Sequence, residues 1–195
     1  MKVVLLNLAG PLQSWAGPAL MKSKVTTQMA PTDSALKGML AACFGITREA
    51  LSEGDIPDSL RDAQFTIETR QNGKIVRDFQ TVGTRSDEKE YTDRIGRIFK
   101  RGAKAAPRIS WPGSTVNAGI VTRTYLGDAE FFVEIRSSND KAVEEIFAAL
   151  SEPVWSPYLG RKAFSPTAPF LIGIFEEEEL PDKKEEVLEW LGQTS

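Results

Sequence analysis

The stretch IVTRTYLGDAEFFVEIRSSNDKAVEEIFAALSEP, residues 120–153, decides the fold. Ile120 to Leu126 and Glu130 to Arg136 are rich in the β-branched and aromatic residues that suit strands, and Gly127-Asp128 reads as the turn joining them. At Ser138-Asn139 the period changes. Their side chains suit a helix N-cap, and Val143, Ile146, Phe147 and Leu150 then recur at helical spacing until Pro153 ends the run. Upstream, Phe65 and Ile67 alternate with polar neighbours over Gln64 to Arg70, Asn72-Gly73 predicts a two-residue hairpin, and Lys74 to Val82 reads as its return strand. Earlier still, Pro31-Thr32-Asp33-Ser34 opens a helix with one apolar face at Leu36, Met39, Leu40, Cys43 and Phe44, closed by a left-handed Gly45. Val3 to Leu8 is a first strand, too short for a signal-peptide core or a membrane span. Downstream, Phe170 to Phe175 reads as a last strand, and Asp182 to Leu191 as an amphipathic helix with Val187, Leu188 and Leu191 on one side.

Strand, helix, two strands, helix, strand is the split βαβ pattern of an α+β, ferredoxin-like fold, the RRM-like plan of many RNA-recognition domains. Residues 83–119 interrupt it as an insertion. The expected organisation is a palm from 1–82 and 120–175, an inserted arm at 83–119, and an acidic C-terminal helix at 176–195.

Composition limits the chemistry. The chain has 195 residues, one cysteine and no histidine. Hydrolases built on Ser-His, Cys-His or His-zinc are therefore excluded, and neither a usual zinc site nor an internal disulfide can be assembled. Neither a metal nor another cofactor is expected, and the lone Cys43, on the apolar face of the first helix, fits a packed residue in a cytoplasmic protein. Formal net charge is −3, but it is unevenly spread. Residues 83–124 hold nine Lys/Arg against four Asp/Glu, whereas residues 175–195 hold eight acids against two lysines. Within the basic segment Arg94, Arg97, Lys100, Arg101, Lys104 and Arg108 follow one another with no acid between them, a pattern that suits a polyanion. Acidic surfaces of neighbouring proteins are the competing ligand.

Three stretches carry a family resemblance. They are Gly10-Pro11-Leu12-Gln13-Ser14-Trp15, then Ala30-Pro31-Thr32-Asp33-Ser34 with Gly38-Met39-Leu40-Ala41-Ala42, and Tyr158-Leu159-Gly160-Arg161-Lys162. Weaker echoes are Asp78-Phe79-Gln80-Thr81-Val82 and Thr124-Tyr125-Leu126-Gly127-Asp128-Ala129. Together, and in this order, they resemble the CasD family, the subunit of the type I-E CRISPR Cascade complex that holds the 5′ end of the guide RNA. The resemblance implies a RAMP-type palm with a basic thumb hairpin in the insertion. It also implies a non-catalytic role in antiviral defence, gripping the crRNA 5′ handle and anchoring the complex. The implied partners are crRNA, CasC-like backbone subunits and a CasA-like large subunit, with no membrane. The chain departs from the family where Phe79-Gln80 replaces a frequent Tyr-His, where Asp33 replaces a basic residue, and in a shortened, acidic C-terminus.

Beside the resemblance, the residues suggest contacts of their own. Trp15 could stack a base with Gln13 on its edge, or else be core. Thr32 and Ser34 could meet a phosphate at the helix N-terminus, or simply cap it. Gly160 with Arg161 and Lys162 offers close backbone approach and two cations. The alternative function is a metal-independent precursor-crRNA endoribonuclease of the type I-C kind. Without histidine its general base would be Tyr or Lys, whose ordinary pKa near 10 would have to fall by roughly three pH units. A scaffold without RNA contact is a third reading.

Overall fold

The structure is a computed structural model that describes residues 1–15, 24–82, 119–167 and 169–193. Its elements are β1 (Lys2–Gln13), β2 (Lys24–Val25), α1 (Asp33–Cys43), α2 (Arg48–Glu53), α3 (Asp58–Arg61), β3 (Gln64–Gln71), β4 (Lys74–Val82), β5 (Gly119–Arg136), α4 (Asp140–Ser151), β6 (Leu171–Glu176) and α5 (Leu180–Gln193). Of the expected insertion at 83–119, residues 83–118, with Arg94, Arg97, Lys100, Arg101, Lys104 and Arg108, lie outside the described residues, and Gly119 begins β5. The chain divides into two compact units, one of residues 1–18, 26–76 and 124–195 and one of residues 19–25 and 77–123.

In the larger unit β1 lies between β5 and β6, and β3 flanks β5, each pair antiparallel. Leu5 faces Glu134 on one side and Gly173 on the other. Strands one neighbour apart therefore run the same way: β1 and β3 are linked through α1 to α3, and β5 and β6 through α4. In the smaller unit the described residues are β2 and parts of β4 and β5, with Lys24 and Val25 parallel to Thr122 and Arg123.

The first strand is apolar at nearly every position because both its faces are covered. Val4, Leu6 and Leu8 join Phe131, Val133 and Ile135 under Leu36, Met39 and Leu40 of α1 and Val143, Ile146 and Leu150 of α4. Val3, Leu5 and Phe132 point the other way, against Leu180, with Val187 and Leu188 of α5 packed beside them. The capping expectations hold. The Thr32 side chain accepts from the Ala35 N–H, the Asn139 side chain accepts from the Ala142 N–H, and Gly45 after α1 has φ +73°. Burial pushes the Cys43 thiol up to about 11, so it is a packed residue and not a nucleophile. The last helix begins two residues before the expected Asp182 and extends two beyond Leu191.

Two turn readings are corrected. Asn72-Gly73 does not fold the chain back, because β3 and β4 both pair with β5 and are not paired with each other. A tight hairpin of type I′ needs positive φ at both central residues, and neither Asn72 nor Gly73 has it. Instead the register against β5 slips by one, from Thr69 opposite Phe131 to Gln71 opposite Glu130, and β4 carries on beyond the irregularity. Gly127-Asp128 likewise interrupts nothing. β5 is one strand of 18 residues, bent where Asp128 takes φ +55°. Asp tolerates that region, Gln71 Nε2 donates to the Asp128 carbonyl at 2.6 Å, and Leu12 and Gly10 pair with the flanking Gly127 and Ala129.

Candidate nucleic-acid interface

The proposed base platform at the end of β1 is a structural hub. Trp15 and Gln13 are both 0% exposed, so neither presents a face or an edge to a base. Gln13 Nε2 donates to the carbonyls of Ala129 (2.7 Å) and Leu8 (3.2 Å), while Gln13 Oε1 accepts from the Trp15 indole N–H at 2.8 Å. The carboxamide thus satisfies the one polar group of a buried indole, and stacking at Trp15 is excluded by burial. The backbone of the same segment ties the unit together: Trp15 N–H donates to Thr27 Oγ1 and Ser14 N–H to the Leu159 carbonyl.

That last bond brings two of the motifs together. Gly160 has φ +82°, and a Cβ there would lie 1.7 Å from the carbonyl oxygen of Ser14. The close approach expected at Gly160 is therefore made by the protein's own backbone. Arg161 is half-buried, its guanidinium 5.4 Å from the centre of the Tyr125 ring and donating to the Tyr125 hydroxyl. Its charge already has an aromatic partner. Lys162 is exposed.

Ser34 and Lys162, far apart in the chain, line one cleft of about 860 Å³ with Arg48, Trp155 and Tyr158. No acidic residue is among those lining it. Thr32 is spent as the α1 cap, whereas Ser34 is exposed. The wall formed by Trp155 is held by main chain: Val154 N–H donates to the Cys43 carbonyl at 2.9 Å and Trp155 N–H to the Ala42 carbonyl at 3.2 Å. These bonds satisfy carbonyls that the end of a helix leaves free. Gly45 seats against Val154, since a Cβ on it would be 2.9 Å from Val154 Cγ1. In the sequence neither Arg48 nor Trp155 was singled out, and Tyr158 entered only as part of the motif that ends at Lys162. The available signal was Val154-Trp155, two large apolar residues set between Pro153 and Pro157 just after the helix ends.

The sheet face opposite α1 and α4, where RRM-type domains stack bases, is occupied. Beside the apolar seam under α5, Lys184 Nζ donates to Glu134 (2.5 Å) and Glu68 (2.9 Å), and Arg136 bridges Glu134 (2.6 Å) and Glu177 (3.0 Å). Burial alone would raise the Glu134 carboxyl, but hydrogen bonds from Lys184 and Arg136 outweigh it and hold it below the usual range. Hydrogen bonding to Lys184 lowers Glu68 likewise. Among the described residues no three His, Cys, Asp or Glu side chains converge as metal ligands, and no helix is long and apolar enough to cross a membrane.

Fold and cleft define the class: an α+β protein with a mainly antiparallel sheet, helices on both of its faces, and a cleft beside α1 whose lining includes Arg48 and Lys162. Within that class the family is settled by likeness. The family model described as CRISPR-associated protein (Cas_Cas5) matches residues 3–193, and the chain belongs to that family. It is 31% identical over 181 residues to the CRISPR system Cascade subunit CasD of Escherichia coli (strain K12), across 87% of this chain and 70% of that one. It is also similar to a chain of a CRISPR RNA-guided surveillance complex, with TM-score 0.66 and 28% identity over 92% of this chain and 66% of that one. A crystal structure of a Cas protein aligns with TM-score 0.53 and 24% identity over 87% of this chain and 61% of its own.

Proposed function

We propose that this chain is a non-catalytic crRNA-binding subunit of a type I-E Cascade surveillance complex, gripping the 5′ handle and anchoring one end of the assembly. The observation that carries the reading is likeness over most of the chain to a Cascade subunit and to a surveillance-complex chain. The antiparallel order β3, β5, β1, β6 with its two crossovers supports a ferredoxin-like, RAMP-type palm. β4 and β5 lead directly into residues 83–118 from both sides, which supports the reading of that stretch as an inserted thumb. The basic run there grips RNA, and CasC-like and CasA-like subunits in the cytoplasm meet the rest.

Chemistry favours binding over cleavage. There is no histidine, the one thiol is buried with its pKa raised, and a Tyr or Lys base would need a deep pKa depression. Incubating the purified chain with repeat RNA in EDTA is the test. Retention of intact RNA is expected; site-specific cleavage abolished by one Tyr or Lys substitution would establish the type I-C alternative instead.

A further inference from the structure

We infer that the cleft between α1, α2 and the segment 155–165 is a base-stacking slot for single-stranded RNA, with Trp155 under one unpaired base and Arg48 and Lys162 on the adjoining phosphates. The inference rests on the RNA-binding reading above and assigns it residues which that reading lacks. Three observations carry it. Trp155 is 47% exposed and its main chain is hydrogen-bonded to the end of α1, so the indole is presented to solvent from an anchored backbone position. Stacking on an indole is sequence-tolerant, because every base has a π-face, and an anchored backbone leaves only the side-chain rotamer to be ordered. Secondly, among the described residues neither Arg48 nor Lys162 has an ion-pair or side-chain hydrogen-bond partner, whereas Arg136, Arg161 and Lys184 are all engaged. Two uncommitted cations on one cleft without an acid in its lining select an anion. Thirdly, the cleft, at about 860 Å³, has room for a nucleotide, with the Ser34 hydroxyl at its edge as a further donor. With the sheet face covered by α5 and Trp15 buried, Trp155 is also the half-exposed indole nearest the motif Tyr158 to Lys162 in the chain.

The experiment measures equilibrium binding of the full chain to an oligoribonucleotide of the host repeat's 5′ handle, intact and with one abasic nucleotide placed at each position in turn. Wild type is expected to lose about tenfold in affinity at one abasic position. Trp155→Ala should lose a similar factor on intact RNA and become insensitive to that position, while Trp155→Phe keeps most of the affinity. Arg48→Gln and Lys162→Gln should each flatten the slope of log affinity against log salt by about 0.7. Full affinity and an unchanged abasic profile in folded Trp155→Ala would overturn the slot and leave the general RNA reading standing. So would normal RNA binding by Trp155→Ala together with failure to join the other subunits, which assigns the cleft to an acidic protein partner. Absence of RNA binding by wild type would refute both readings together.

Discussion

At the scale of single residues, Gly160 and Trp15 show how a motif can be legible in place while its role is left open by the sequence. Both belong to stretches that carry the family likeness; the sequence leaves Trp15 open between a stacking face and a core side chain, and offers Gly160 as a point of close approach to a phosphate. What the sequence does not contain is the distance between the two stretches. Ser14 and Leu159 are hydrogen-bonded, so the partner of Gly160 is the Ser14 carbonyl and the partner of Trp15 is Gln13. Gly160→Ala should therefore destabilise the fold by about 2–4 kcal/mol in urea titrations, because a backbone oxygen cannot step aside and φ is left-handed. Gly38→Ala is the control: nothing lies within 4 Å of the added Cβ, the position is inside α1, and a gain of about 0.5–1 kcal/mol is expected. Equal losses at the two sites would refute the packing reading of Gly160. Trp155 was missed for the converse reason. Only the structure reveals that its loop returns to the end of α1.

At the scale of elements, strands and helices were legible wherever periodicity is strong, as in α1, α4 and the alternation of Phe131, Val133 and Ile135. Connections were not. Asn-Gly favours a tight turn, and what overrides that preference here is a partner strand, β5, that pairs with both β3 and β4. The C-terminal helix was visible as amphipathic, but its target was not, because Lys184 reads in sequence as one more surface charge. In the structure Lys184 is the cation over Glu134, whose side chain is only 11% exposed. Lys184→Met should therefore cost about 1–3 kcal/mol by leaving that carboxylate to Arg136 alone. The pH dependence has a definite sign. Glu134 and Glu68 are held below their ordinary values, so their contribution is full above the unfolded carboxylate range and is lost as pH falls through their lowered folded values, below about 4.5. Lys184 is raised through Glu134 and Glu68 in spite of burial, so its share persists until pH climbs past 10.5. Stability measured between pH 3 and 7 should rise with pH in wild type and rise less steeply in Lys184→Met; parallel curves would mean that the ion pairs contribute nothing.

At the scale of the molecule, the proposed binding of a polyanion by a chain of net charge −3 depends on segregated charge. The acids gather in the last stretch, and the basic run stands apart between β4 and β5 in sequence. If four to six of Arg94, Arg97, Lys100, Arg101, Lys104 and Arg108 neutralise phosphates, log affinity should fall against log salt with a slope of about −3 to −4. Arg97→Ala with Arg101→Ala should flatten that slope by about 1.4 without unfolding the protein. An unchanged slope with failed subunit assembly would instead give these cations to protein neighbours. The chain's likeness to a Cascade subunit and the basic run at residues 94–108 support the central proposal, that this chain holds the 5′ handle. Photocrosslinking tests it most directly, using the complex assembled on a crRNA that carries 4-thiouridine only within its 5′ handle. Handle binding by this chain predicts that the label transfers to it, at peptides from residues 94–108 and from the cleft around Trp155. Transfer to neighbouring subunits alone, with this chain present at full occupancy and unlabelled, would contradict it.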